Sequence, residues 1–323
     1  MRSRLSVTIL VMLVAAASVR SQMRTPPETR NAALRYWQAF AEMKDPPSDK
    51  ATQELLAKTA AGEAAWDESK LGPILDANAD ALAIFLRATR LPDCDWGIEY
   101  NRGVRASIAY APRARVLARL NTLQGMREMA KGQPQAAVDT WLAGVRFSEH
   151  LAKGGSLIFA LIAKSALLPN LHALAAEAKQ GHLNSAQNQQ LYTVVKALRE
   201  DGFDWGHAWE MEEASGESFF AEMQRSQDPA ALYESLTGAP APKDCMPPST
   251  QQVRAYRAYM SEVAAALRLP PPATKERLAP LEARARGFCE AIGNIIPSPN
   301  STNDARIELA AARENLLRSL TGK

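Results

Sequence analysis

Residues Leu157 to Ala178 read LIFALIAKSALLPNLHALAAEA, and Lys164, His172 and Glu177 are the only ionisable side chains among them. A surface helix carries one apolar stripe and one polar face, whereas a helix apolar on most sides has to be surrounded. At about 1.5 Å per residue this stretch is long enough to cross a bilayer, but its three ionisable groups speak against a span. The sequence therefore predicts a buried central helix, with a kink at Pro169 where an N–H is missing.

What surrounds it must also be helical. The chain has 58 Ala and 35 Leu against 23 Val plus Ile in 323 residues. Ala and Leu lead the helix scale, and β-branched residues lead the strand preferences. Seventeen Gly are too few for the turns of a large sheet protein. A β-sandwich, a β-barrel and a parallel α/β fold are all disfavoured. The expected class is all-α: stacked antiparallel helical hairpins, forming an α-solenoid or an irregular helical bundle.

The N-terminus carries a separate signal. Arg2 and Arg4 precede the uncharged run Leu5 to Val19, which closes on Ala15, Ala16, Ala17, Ser18 and Ser21. This is the three-part pattern of a secretory signal peptide. Fifteen helical residues span roughly 22 Å, short of the hydrocarbon core of about 30 Å. Cleavage after Ala17 or Ser21 is thus the expectation, and a retained anchor is the alternative. The chain is expected to be exported, periplasmic or extracellular, with no stable membrane span after cleavage. Residues 1–21 hold Arg2, Arg4 and Arg20 and no acid, so 38 Lys plus Arg less three leaves 35 against 35 Asp plus Glu. No basic run survives to neutralise a series of phosphates, so nucleic acid is not an expected partner.

Short breaks divide the rest into helices. They are expected at 31–43, 49–61 and 73–91, and then, beyond an irregular stretch 92–111, at 112–131, 134–152 and 157–178. Further ones follow at 185–198, 203–223 and 228–236. A Pro-rich loop, 237–248, is the best candidate boundary between a main helical domain, 22–236, and C-terminal flanking helices within 249–323. Those are expected at 250–269, 275–291 and 303–320, with Pro270-Pro271-Pro272 and Pro297-Ser298-Pro299 as the breaks.

One hairpin has an internal pattern. Counted from Ala118, the eighth, twentieth and twenty-seventh positions are Gly125, Ala137 and Gly144, and the twenty-fourth is Trp141. Residues 118–151 in this respect resemble a tetratricopeptide repeat, which sets small residues where its two helices approach and an aromatic one between them. The turn Gly132-Gln133 also falls where that family has it. Glu128 replaces an aromatic residue of the family pattern, the closing proline is missing, and no second copy follows. A looser resemblance, carried by NAALRYWQAFAEM, the DCDWG loop, this hairpin and the long apolar helix, is to exported helical proteins of environmental bacteria. It implies fold and localisation, and no activity.

Three cysteines, Cys94, Cys245 and Cys289, share no C-x-x-C spacing, so neither a zinc knuckle nor a thioredoxin-type motif is present. In an oxidising compartment one bridge can form. A loop without a core of its own gains most from a staple, which favours Cys245–Cys289; three free thiols is the alternative.

The search for chemistry returns little. There are four His and no H-E-x-x-H, G-x-S-x-G, phosphate-binding loop or G-x-G-x-x-G, which removes the common zinc proteases, α/β-hydrolases and nucleotide folds. Two clusters remain. In FDWGHAWEMEE, His207 and Glu210 share a helical face with Asp204 or Met211; as a metal site it lacks ligands from a second helix. In the DCDWG loop, Asp95 and Glu99 lie close to Arg102, Trp96 and Tyr100, and loops on rigid scaffolds often carry sites. Both clusters also read as structure: a packed aromatic face, a Trp96 plug, and acids that pair with arginines or cap helices. The expected function is accordingly a non-catalytic helical scaffold or interaction module of the cell envelope with a protein or peptide partner, needing no metal and no cofactor. The alternative is an all-α hydrolase-like or metal-assisted enzyme using Asp95, Glu99, His207 and Glu210. Convergence of the 93–102 loop and the 204–213 helix in one pocket would favour that reading sharply, and wide separation would count against it.

Overall fold

The computed structural model describes residues 29–322, apart from the side chains of Asn101 and Val104. The signal-peptide reading of residues 1–21 lies outside the described residues. From Asn31 onward the chain packs as one unit. Fourteen α-helices and one 3-10 turn make up that unit, with no named strand among the described residues. The protein is all-α.

The helices are α1 (Ala32–Glu42), α2 (Lys50–Ala60), α3 (Glu68–Asp76), α4 (Ala79–Ala88), α5 (Ala111–Ala130), α6 (Pro134–Ala152) and α7 (Leu157–Lys179). After these come α8 (Ser185–Ala197), α9 (Trp205–Arg225), α10 (Pro229–Thr237), α11 (Thr250–Ala266), α12 (Pro271–Ala285), α13 (Glu290–Gly293) and α14 (Pro299–Thr321). The 3-10 turn, Tyr100–Arg105, lies between α4 and α5. Most starts carry the side chain that should make them. Asp49, Asp67, Asp204 and Asp228 each accept from backbone N–H groups of the first turn. Asn184 with Gln187 and Ser249 with Gln252 form reciprocal capping boxes.

The apolar helix is central. α7 runs through Pro169 without a break and packs against α5, α6, α9 and α14. It is the one helix among the described residues long and apolar enough to cross a membrane, and here protein, not lipid, covers most of it. Gly144 of α6 explains the closeness of α5, α6 and α7: a Cβ there would lie 2.5 Å from Asn170 Nδ2 on α7 and 2.7 Å from Asn121 Nδ2 on α5. At Gly125 of α5 a Cβ would lie 2.3 Å from the indole nitrogen of Trp141, which donates to Thr122 O at 3.1 Å.

The C-terminal helices share this packing. α14 lies along α7 and α8, and α11 lies along α9. Trp209 Nε1 on α9 donates to Thr302 Oγ1 on α14 at 3.3 Å. Arg306 of α14 is buried and donates to Asp201 Oδ2 at 2.8 Å, Thr274 Oγ1 at 2.9 Å and Leu269 O at 2.6 Å.

Several boundaries differ from the sequence-based expectation: the helix expected from 73 starts at Glu68 with Pro73 inside it, and the one expected over 275–291 ends at Ala285, with a separate short helix at Glu290–Gly293. The helix expected over 73–91 is two helices. Asn78, buried at the break, donates to Ile74 O at the end of the first helix and accepts from Lys44 N–H beyond α1, so its side chain satisfies one helical carbonyl and ties the break to the neighbouring segment. The two proline clusters are not only breaks. Pro271 and Pro299 open α12 and α14, where a missing N–H costs nothing and the fixed φ is already helical.

Candidate functional site

The 93–102 loop is tied down at both ends. Asn31 donates to Asp95 O and accepts from Asp95 N–H, while Asp95 Oδ1 accepts from Gly97 N–H at 2.9 Å. Trp96 is buried, stacks on Tyr110 with centroids 4.2 Å apart, and donates from Nε1 to His150 O at 2.8 Å. Beyond it Gly103, at φ +53°, presses the 3-10 turn onto α9: a Cβ there would lie 2.3 Å from Ser218 Oγ. Only glycine fits a left-handed residue with no space above it. Arg105 closes the loop with a 2.6 Å contact to Glu222 of α9.

This folding brings the loop and α9 together over the turn Gly154–Ser156. Tyr100 Oη donates to Gly154 O. A Cβ on Gly155 would stand 3.1 Å from Tyr100 Oη and 3.7 Å from His207 Nε2. Between them lies a recess of about 320 Å³ with Ile98, Ile108, Ile158, Phe159 and Met211 as apolar wall and Tyr100, Ser156, Glu212 and Ser215 as polar groups. Ile158 and, one turn on, Leu161 are 38% and 39% exposed, so this face of the core helix stays open.

Glu212 is the charged group of the recess. Its Oε1 accepts from Leu157 N–H at 2.9 Å, at the start of α7. Burial raises its pKa above the ordinary carboxylate value, against hydrogen bonds from Leu157, Ile158 and Ser156 that pull it down.

None of the four residues singled out in the sequence lines this recess. Asp95 is a turn cap, and Glu99 pairs with Arg102 at 3.0 Å on the surface. His207 Nδ1 lies 3.7 Å from Glu210 Oε2, and Glu210 Oε1 lies 2.7 Å from Arg268 Nη2. A guanidinium at that distance competes with any cation for the Glu210 carboxylate. The loop and α9 meet at the recess, and the acid that lines it is Glu212. In sequence it is one of three acids in the run Glu210-Met211-Glu212-Glu213, and nothing local distinguishes it from the other two.

Cys245 and Cys289 form a disulfide, with Cα atoms 6.3 Å apart, and Cys94 is free and partly buried. Burial pushes the Cys94 thiol up to about 12, far from a reactive thiolate.

Comparison of the chain with models of known protein families, with curated proteins and with solved structures returns no match.

Proposed function

We propose that this chain is an exported helical binding protein of the cell envelope, without a catalytic role, which receives a protein or peptide segment at the recess between the 98–108 loop and α9. One observation carries the reading. Two segments about a hundred residues apart in sequence meet over the start of α7 and leave an apolar-walled recess open to solvent, while the acids and the histidine nearest it are engaged in caps and pairs. Ile158 and Leu161 extend the apolar surface along α7. Such a surface suits an apolar side chain presented by a partner. The Cys245–Cys289 bridge agrees with an oxidising compartment.

The test is site-specific photo-cross-linking in cells producing the full chain. A cross-linking amino acid at Ile158 should give discrete adducts that the same group at exposed Arg277 on α12 does not. Identical adducts at both positions would remove the recess from the proposal. N-terminal sequencing of envelope-fraction protein that returned intact Met1 would remove cleaved export from it.

A second reading is favoured by the raised carboxyl of Glu212 inside the recess, since acid–base catalysts are held in such surroundings. It predicts that Glu212→Gln abolishes a turnover while sparing the Ile158 adducts. The binding reading predicts that the adducts persist and that no turnover accompanies them.

A further inference from the structure

On the opposite side of α11 from α9, the disulfide opens onto a groove of about 960 Å³ between α11 and the end of α12, whose lining includes Asp244, Gln252, Arg284 and Cys289. Asp244, Cys245 and Cys289 each bring one ligand atom within 4.8 Å of the others. The Asp244 carboxylate makes no ion pair among the described residues, and its Oδ2 accepts from Glu290 N–H at 3.4 Å. Arg284, the nearest cation in the groove, is bound to Glu262 at 3.0 Å. Gln252 is fixed by the capping box: its Oε1 accepts from Ser249 N–H at 2.8 Å, and its Nε2 donates to Cys289 Sγ at 3.4 Å.

We propose that reduction of the Cys245–Cys289 bridge converts Asp244, Cys245 and Cys289 into a thiolate–carboxylate site for a borderline-soft divalent cation such as Zn²⁺, with water in the fourth position. The proposal is independent of the reading of the recess. A dithiol reductant breaks the S–S bond and gives up two electrons and two protons. It closes to its own disulfide and leaves two thiols on the chain. Binding of Zn²⁺ then releases the two thiol protons.

The geometry supports each part. Zn–S bonds of about 2.3 Å and Zn–O bonds of about 2.0–2.2 Å set tetrahedral ligand atoms roughly 3.5 Å apart. The Asp244 oxygen lies within 4.8 Å of both sulfurs, and the two sulfurs need only part. Their Cα atoms, 6.3 Å apart, stand toward the wide end of the disulfide range and leave room for this without moving the backbone. The Gln252 amide favours the thiolate of Cys289 by donating to it, and the Glu290 N–H orients the Asp244 carboxylate, the outer-shell support that ligating groups need. The ion would close the same loop as the bridge, with 44 residues of separation, so metal and disulfide are alternative staples of one loop under reducing and oxidising conditions.

The experiment uses the full chain carrying Cys94→Ala, so that the third thiol takes no part. One sample is kept oxidised. Another is reduced with dithiothreitol, desalted without oxygen, mixed with Zn²⁺, desalted again and analysed for metal. The reduced protein should hold about one Zn²⁺ and the oxidised protein less than a tenth of that. Co²⁺ in place of Zn²⁺ should give a sulfur-to-cobalt charge-transfer band. Cys245→Ser should abolish retention. Asp244→Asn should weaken it at least tenfold with an unchanged helical circular dichroism spectrum. Equal metal in the two redox states, or Asp244→Asn binding as tightly as the parent, would overturn the proposal. So would a reduced chain that loses its helical signal and does not regain it with Zn²⁺.

Discussion

Glu212 on α9 accepts the backbone N–H of Leu157, the first residue of α7, at 2.9 Å. The start of the most apolar helix in the fold is thus capped by a carboxylate from a different helix, 55 residues on. Ser156, in the N-cap position, makes no side-chain bond of its own to the helix backbone. The contact also forms part of the recess, so the packing of α7 and the shape of the recess depend on one side chain.

Removing that carboxylate should cost what losing a helix cap costs, about 0.5–2 kcal/mol. Glu212→Ala is therefore expected to lower the thermal midpoint. Glu212→Gln keeps an acceptor oxygen and escapes the burial of charge that raises the carboxyl pKa. A carboxyl raised by folding gives its full stabilisation below its unfolded pKa and loses it as pH rises through the folded value. Parent and Glu212→Gln should accordingly diverge as pH rises above the ordinary carboxylate value, in favour of Gln. Melting curves across that range that ran parallel would refute this.

His150 should give the opposite pH sense. It lies in the aromatic core, with Nδ1 2.8 Å from Tyr36 Oη. Burial, then Lys153 and Arg146, lowers its pKa to about 4. A base lowered by folding contributes stability above its unfolded value, near 6.5, which is lost as pH falls toward the folded value. The parent should lose stability between those two pH values. His150→Asn, which cannot charge, should show a flatter profile over that window in urea titrations, though with a lower plateau from imperfect packing.

Much of this was legible in the residues, and the parts that were not have a common cause. α6 could be placed end to end because Pro134 opens it and Gly154-Gly155 closes it. α8 begins at a capping box, Asn184 with Gln187, that lies within four residues of sequence. These are local signals, complete within one turn of helix. The division at Asn78 depends on a Lys44 N–H more than thirty residues away, and the Pro271 and Pro299 starts depend on which side of a proline the packing lies. The site divided in the same way. The groups that line the recess between the loop and α9 are set by tertiary approach. His207 and Glu210 share a helical face that remains solvated, while Glu212, with no distinguishing neighbour, turns inward.

Gly144 tests the closeness of three helices. An exposed helical Gly replaced by Ala or Leu should stabilise by roughly 0.5–1 kcal/mol. Here the added carbon would meet Asn170 and Asn121 at 2.5 and 2.7 Å, and overpacking costs typically about 1–3 kcal/mol. Gly144→Leu should lower the midpoint clearly, and Gly144→Ala less so, because the amide ends can shift. Gln135→Leu, on an exposed turn of the same helix, should change it little. A higher midpoint for Gly144→Leu would mean that α5, α6 and α7 are not packed as described.

Arg306 and Asp201 form the test of how the C-terminal helix is held. The guanidinium is almost wholly buried, and Asp201 keeps 10% of its side chain exposed. Arg306 also satisfies the Leu269 carbonyl, and through Thr274 it reaches the start of α12. A buried pair gains little over a well-packed apolar one, because both ions lose their water. Breaking it from one side is different, since the buried Asp201 carboxylate then keeps only the looser 3.9 Å contact to Arg199. Arg306→Met should therefore destabilise by about 3–5 kcal/mol, expose α14 to proteolysis, and leave the Asp201 carboxylate as the source of most of the loss. Adding Asp201→Asn to Arg306→Met should restore part of it, so the double variant should be more stable than the sum of the single losses. A double-mutant cycle by urea denaturation measures that coupling. A coupling near zero, with the two losses simply adding, would show that Arg306 holds α14 through the Leu269 and Thr274 oxygens alone and that the ion pair contributes nothing.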